Sequence, residues 1–208
     1  MGKVLQLLQE LSKLPNPGPA PAFSYVHVCR ALLTIGDNAP IGRIELSRKV
    51  SIGEGAIRTV IRHLTQAGLV ATGKDGCVLT KHGRSLYDRL RQKLSMVLLM
   101  DAGQLSLDRF NAAILIRGSA RRVKRGIEQR DAAVRTGATG ACTLVFRSGE
   151  YVMPTAERDW KLSSQDSLIR TLDESFHPRN SDVVTIASAS SKPLAEYGAI
   201  AAALTLLE

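Results

Sequence analysis

A chain of 208 residues can hold one large domain or two modest ones. Its 44% hydrophobic and 23% charged residues exclude a disordered or fibrous chain, and with only 4% aromatics the cores must be filled by aliphatic and Ala side chains. The formal charge of +9 is unevenly spread: residues 1–95 hold 14 Lys and Arg against 6 Asp and Glu, the remainder 14 against 13. That asymmetry is expected of a polyanion-binding module joined to a near-neutral partner domain.

The apolar stretches Met96–Met100 and Tyr197–Leu207 fall short of the roughly 20 residues of a membrane span. The start of the chain has no secretory pattern, and Gln6 stands where myristoylation needs Ser or Thr. No membrane partner and a cytoplasmic location are therefore expected. Cys29, Cys77 and Cys142 are far apart, with no C-x-x-C pair. Neither a disulfide framework nor a zinc knuckle is expected.

In chain order, Val4–Leu14 has helical apolar spacing and is stopped by the Pro-rich connector Pro15–Pro21. The first helix thus reads as an appendage: a packing arm, a dimer contact or a frayed leader. Phe23–Ile35 is a second helix closed by Gly36-Asp37-Asn38, and Gly42–Val50 a short third. After the turn Ser51–Gly55, Ala56–Ala67 is another helix, ending at Gly68. Leu69–Thr72 and Cys77–Thr80 are short strands around a turn with an Asp75-Gly76 signature. A long helix is expected over Lys81–Met100, with Leu86, Leu90, Leu94 and Val97 on one stripe.

Several of these elements carry a resemblance. Glu45-Leu46-Ser47, Gly53-Glu54-Gly55, Leu64 with Ala67-Gly68-Leu69-Val70, and Leu79-Thr80-Lys81-His82-Gly83-Arg84 occur in the order found in winged helix-turn-helix domains. Residues 23–94 resemble such domains of prokaryotic transcription regulators. The whole chain is similar to an uncharacterised archaeal family that joins a winged helix to a small α/β domain. The resemblance implies that the helix after Gly55 is a recognition helix. With Ile57, Ile61 and Leu64 inward, Arg58, Thr59, Arg62 and Thr65 face outward, and Arg58 and Arg62 share one face. Glu54 and Gly55 open that helix, where N–H groups can meet a phosphate. Arg43, Arg48 and Lys49 would lie on the adjacent helix, and Lys74 at the wing tip. The competing reading is a set of solvated surface cations.

In the second half, Leu105–Ile116 ends in a strand and Ser119–Thr136 is a basic helix. Cys142–Phe146 and Glu150–Met153 form a hairpin through Arg147-Ser148-Gly149. Ser164–Phe176 is a helix with Ser163 or Ser164 as N-cap and Asp166 near its positive end. Asp182–Ala189 is a buried strand and Pro193–Leu207 an Ala-rich last helix. This βαββαβ succession with an extra terminal helix is the ferredoxin-like order. The stretch around Arg130, Asp131, Thr139 and Gly140 could approach a ligand, though a helix cap at Gly137 with close packing explains it as well.

His27, His63, His82 and Cys29 form no local metal-ligand set. Asp131, Asp173, Glu174, His177 and Asp182 match no catalytic motif. No metal, cofactor or catalytic residue is expected.

The expectation is an α+β chain: an N-terminal helix and connector (1–21), a winged-helix domain (22–100) and a ferredoxin-like effector or dimerisation domain (101–208). The function expected is a DNA-binding transcriptional regulator acting on double-stranded DNA, as a homodimer and with a small-molecule effector. The Leu86/Leu90/Leu94/Val97 stripe and the last helix are candidate dimer surfaces, with packing inside the fold as the equal alternative for the stripe. An enzyme fused to a winged helix, or a winged-helix module for protein or RNA contacts, are the alternatives.

Overall fold

The computed structural model of the protein describes residues 2–13, 23–155, 159–163 and 167–207. The connector expected at Pro15–Pro21 and the roles expected of Ser164 and Asp166 lie outside the described residues. The chain divides into two compact units, Met1–Arg91 and Gln92–Glu208.

The first unit opens with α1 (Gly2–Leu11), whose apolar face buries Val4, Leu5 and Leu8. It packs on α2 (Tyr25–Asn38) and on α4 (Glu54–Gln66). His63 of α4 donates its Nδ1 proton to the Leu11 carbonyl at 2.7 Å, and the Phe23 ring sits edge-on against the His63 ring. The first helix is therefore a packing arm of the core.

Helix α2 is started by an unusual capping pair. The Ser24 N–H donates to Nδ1 of His27 at 3.0 Å, so an imidazole does the work that Glu or Gln does in a capping box. Burial and the neighbouring Arg30 charge lower the His27 pKa to about 4. The helix does not stop at Gly36-Asp37-Asn38 as expected but runs through them. The reason is tertiary. A Cβ at Gly36 would come within 2.2 Å of the Tyr87 ring, and Asp37 accepts the Tyr87 hydroxyl at 2.6 Å and is paired with Arg91. These residues dock α5 (Lys81–Arg91) onto α2.

Helix α3 (Arg43–Val50) leads through a turn with left-handed Ser51 into α4. The strands β1 (Val70–Gly73) and β2 (Gly76–Leu79) pair antiparallel around Lys74-Asp75. Helix α5 ends well before Met100, because the chain from Leu94 onward pairs with a strand of the second unit. Leu94 bridges to Ile116, and β3 (Leu98–Met100) pairs with β4 (Phe110–Ile116). The boundary between units consequently falls at Arg91 and not after Met100. Of the expected stripe, Leu86 and Leu90 are buried on α5, while buried Leu94 and half-buried Val97 lie beyond the end of that helix in the second unit, so the four do not share one helical face.

The second unit continues with α6 (Ile127–Val134), β5 (Gly140–Arg147), β6 (Glu150–Met153), β7 (Trp160–Lys161), α7 (Ser167–Phe176), β8 (Val183–Ala189) and α8 (Lys192–Leu204). The six strands form an antiparallel sheet in the order β3-β4-β8-β5-β6-β7. Helices α6 and α8 cover one face. Leu168, Leu172 and Phe176 of α7 cover the other, against Leu115, Leu144, Val184 and Ile186. The expected basic helix over Ser119–Thr136 is broken at Gly126, which is left-handed with φ 74°. The βαββαβ succession is present, but the strand order is not ferredoxin-like. In that fold the first strand is central and the last lies at an edge; here β8 lies between β4 and β5, and β3 and β7 extend the sheet. Helix α8 buries Ala199–Leu204 against β4 and β8, so its Ala-rich face is a packing surface within the unit and not a dimer face. Asp182, almost fully buried, ties this layer together: it accepts Arg117 at 2.6 Å and the N–H groups of Gly118 and Arg179, both at 2.8 Å.

Two outcomes follow for the first unit. Leu8→Ala, at a fully buried position, should cost about 2–5 kcal/mol in urea denaturation; an unchanged midpoint would show that α1 is not part of the cooperative unit. For His27, the folded state holds the ring neutral while the unfolded chain takes up a proton below its ordinary pKa of 6.5. Stability contributed by His27 is therefore present above pH 6.5 and lost as pH falls from 6.5 toward 4. His27→Gln keeps an acceptor for the Ser24 N–H and should flatten the fall in melting temperature across that window. An equally steep fall in the variant would refute the assignment.

Candidate nucleic-acid interface

Helix α4 has two distinct faces. Ile57, Val60, Ile61 and Leu64 are buried, which turns Arg58 and Arg62, one helical turn apart, to solvent. Its N-cap, Gly53, offers no side-chain acceptor, so first-turn amides lack a capping partner. Glu54 and Gly55 are exposed there, and the Glu54 carboxylate sits at the same positive helix end.

The hairpin is brought beside α4 by backbone bonds. Ile41 N–H donates to the Cys77 carbonyl at 3.1 Å, and Cys77 N–H to the Ile41 carbonyl at 2.8 Å. Gly76 makes this approach possible: it has φ 124°, and a Cβ there would lie 2.4 Å from the Ile41 carbonyl oxygen. Only Gly42 separates Ile41 from Arg43, the first residue of α3, so the same bridge places Arg43 opposite the hairpin tip. A cleft of about 390 Å³ results, lined by Arg43, Arg58, Lys74 and Asp75 over Ile61 and Cys77. Burial pushes the Cys77 thiol pKa up.

Of the residues proposed from sequence, Arg43, Arg58 and Lys74 thus surround one cleft. Arg62 lies on the same exposed face of α4 but does not line it. Arg48 and Lys49 are exposed at the end of α3, with Lys49 3.9 Å from Glu45. Thr59 is half-buried and its hydroxyl donates back to the Gly55 carbonyl at 3.3 Å, which occupies it within the helix. Ile61, Thr72 and Cys77 of the wall were not foreseen. The alternation along β1 and β2 carries a signal for Thr72 and Cys77, but nothing local marks Ile61 as a cleft residue.

In the second unit Arg130 binds Asp131 through Nε and Nη2, at 3.1 and 2.9 Å. It also lines a cavity of about 130 Å³. Thr139 and Gly140 are elsewhere: the Thr139 hydroxyl donates to Asp108, and Gly140 packs beside Leu107. Among the described residues no group of three His, Cys, Asp or Glu is placed to hold a metal ion. Cys29 is fully buried, and burial raises its thiol pKa to about 12. Among the described residues no helix is long and apolar enough to cross a membrane.

Comparison with known proteins divides along the same lines. Residues 29–94 match the family model of the CggR N-terminal DNA binding domain. The N-terminal unit is similar to a DNA-binding domain. Residues 107–206 match a domain of unknown function, DUF4443. Among solved structures, a hypothetical protein from Pyrococcus horikoshii OT3 has the same fold, with a TM-score of 0.69 at 24% identity over 88% of this chain and 92% of that one. No curated protein matches the chain.

The cleft depends on Gly76. Gly76→Ala puts a Cβ against the Ile41 carbonyl in a conformation that L side chains rarely adopt, and should cost about 1–3 kcal/mol. Hydrogen exchange at the Ile41 and Cys77 amides should accelerate; unchanged protection would mean the hairpin is held by other contacts.

Proposed function

We propose that the protein is a DNA-binding transcriptional regulator. The first unit acts as a winged helix-turn-helix with α4 as the recognition helix and the β1–β2 hairpin as the wing. One observation carries the reading: Arg58 of the exposed α4 face, Arg43 and the hairpin-tip Lys74 surround a single cleft. The match of residues 29–94 to a DNA-binding domain supports it, as does the excess of basic residues in that part of the chain. On this reading Arg58 and Arg62 enter the major groove, where a guanidinium can bond a guanine edge in bidentate fashion. Arg43, Arg48, Lys49 and Lys74 hold the phosphate backbone and set the register. The first-turn amides of α4 take a further phosphate.

The second unit serves as an effector-binding or dimerisation domain and carries out no turnover. A homodimer would match a two-half-site operator and multiply the affinity of each unit. With Leu86, Leu90, Leu94 and the α8 face buried and Val97 half-buried, the dimer contact lies on other surfaces.

Arg58→Ala and Arg62→Ala should each weaken specific binding by about 1–3 kcal/mol. Lys74→Ala should weaken binding to all sequences alike and lower the salt slope by about 0.9, one phosphate contact. Fluorescence anisotropy against promoter fragments at several salt concentrations reads both effects. Unchanged affinity in folded Arg58→Ala, together with an unaltered salt slope in Lys74→Ala, would remove the cleft from the DNA interface.

A further inference from the structure

The small cavity of the second unit has a chemistry that neither its family match nor the regulator reading assigns. It lies where α6 begins, and its wall includes Arg125, Gly126, Ile127, Arg130 and Thr143. Thr143 is 3% exposed, yet among the described residues its hydroxyl has no hydrogen-bond partner. A buried hydroxyl left unpaired costs free energy, and native structures rarely leave one so. It faces Gly126, with Oγ1 3.3 Å from where a Cβ on Gly126 would stand. The glycine keeps that space open.

Ala141, Met153 and Pro154 make one side of the wall apolar, and the donors gather at the α6 end, where Glu128 of the first turn lies 3.9 Å from Lys124. Gly126 is the N-cap of α6 and brings no side chain, so the first amides of the helix have no capping acceptor, and the helix dipole adds positive potential. Arg125 is exposed and makes no hydrogen bond or ion pair among the described residues. Arg130 holds Asp131 through Nε and Nη2, which leaves Nη1 for another acceptor. Cationic side chains, helix amides and a hydroxyl around one cavity match an anion with several acceptor oxygens, and guanidinium forks suit a phosphoryl group. At about 130 Å³ the cavity is well under the roughly 300 Å³ at which whole small-molecule pockets begin. It admits a head group and leaves the rest of the molecule outside.

We propose that this cavity binds the phosphoryl group of a small phosphorylated metabolite, with Arg125, Arg130, the α6 amides and the Thr143 hydroxyl as its donors. The proposal rests on the reading of the second unit as an effector domain, and is independent of DNA binding by the first.

The test uses the full chain. Inorganic phosphate and methyl phosphate are titrated by calorimetry and thermal shift at constant ionic strength, with acetate as the carboxylate counterpart. Saturable binding of both phosphates is expected, with a melting temperature that rises with ligand concentration. Thr143→Val, of similar shape, should weaken it roughly tenfold, and Arg125→Gln with Arg130→Gln by tenfold or more. The double variant replaces exposed side chains, so its circular dichroism and ligand-free melting should match the parent. No saturable binding, an equal shift in every variant, or a response to acetate alone would each overturn the proposal. Equal shifts would mark general salt stabilisation. DNA affinity of the same double variant, measured without phosphate, separates the two readings. In the unsubstituted chain, DNA binding with no phosphate binding defeats this inference alone, and phosphate binding without DNA binding defeats the regulator reading alone; in the double variant, phosphate binding should be lost and DNA binding kept.

Discussion

The paired backbone bonds between Ile41 and Cys77 hold the candidate interface together. They join the segment before α3 to the second hairpin strand, so that a helix start, a helix face and a turn from distant parts of the sequence meet. Two backbone hydrogen bonds are individually modest. Their importance is geometric, because a hairpin fixed only at its base would leave Lys74 free to swing. The absence of a Cβ at Gly76 is what lets the strands come so close. Helix α4 supplies the other wall through the burial of Ile57, Val60, Ile61 and Leu64, and its own register decides where Arg58 points.

The second unit is built on the opposite economy of charge. Its central strands β4 and β8 are buried along their whole length, covered by α6 and α8 on one side and by α7 on the other. Small side chains make the first of these layers thin: Ala112, Ala187, Ala199 and Ala202 let α8 lie close to the sheet. Polar groups inside it are mostly satisfied, with Asp182 held by three donors. The unpaired Thr143 hydroxyl stands out against that background, beside the broken start of α6.

Much of the first unit was legible in the sequence. The spacing of Ile57, Ile61 and Leu64 identified the inner face of α4, hence the outward face of Arg58, and Asp75-Gly76 marked the hairpin turn. The expectations that failed did so for contacts distant in sequence. Gly36-Asp37-Asn38 is a stop signal in isolation, and continues as helix because Tyr87 and Arg91, far along the chain, pack and bond there. Leu94–Met100 has the spacing of a helix, and becomes extended because β4 offers an open edge. Of the effector residues named in advance, Arg130 lines a cavity while Thr139 is engaged by Asp108.

The sequence by itself determined the local events: which runs are amphipathic, where turns with glycine occur, and that the surplus of positive charge sits in the first part of the chain. These follow from side-chain periodicity and backbone preference, which act over a few residues. Only the tertiary structure decided that α1 is core, that β8 runs between β4 and β5, that Arg43, Arg58 and Lys74 share a cleft, and that Thr143 is buried with no hydrogen-bond partner among the described residues. Each of those depends on groups from separate elements meeting across the fold. Periodicity tells a side chain to turn inward, but does not name the partner it meets there.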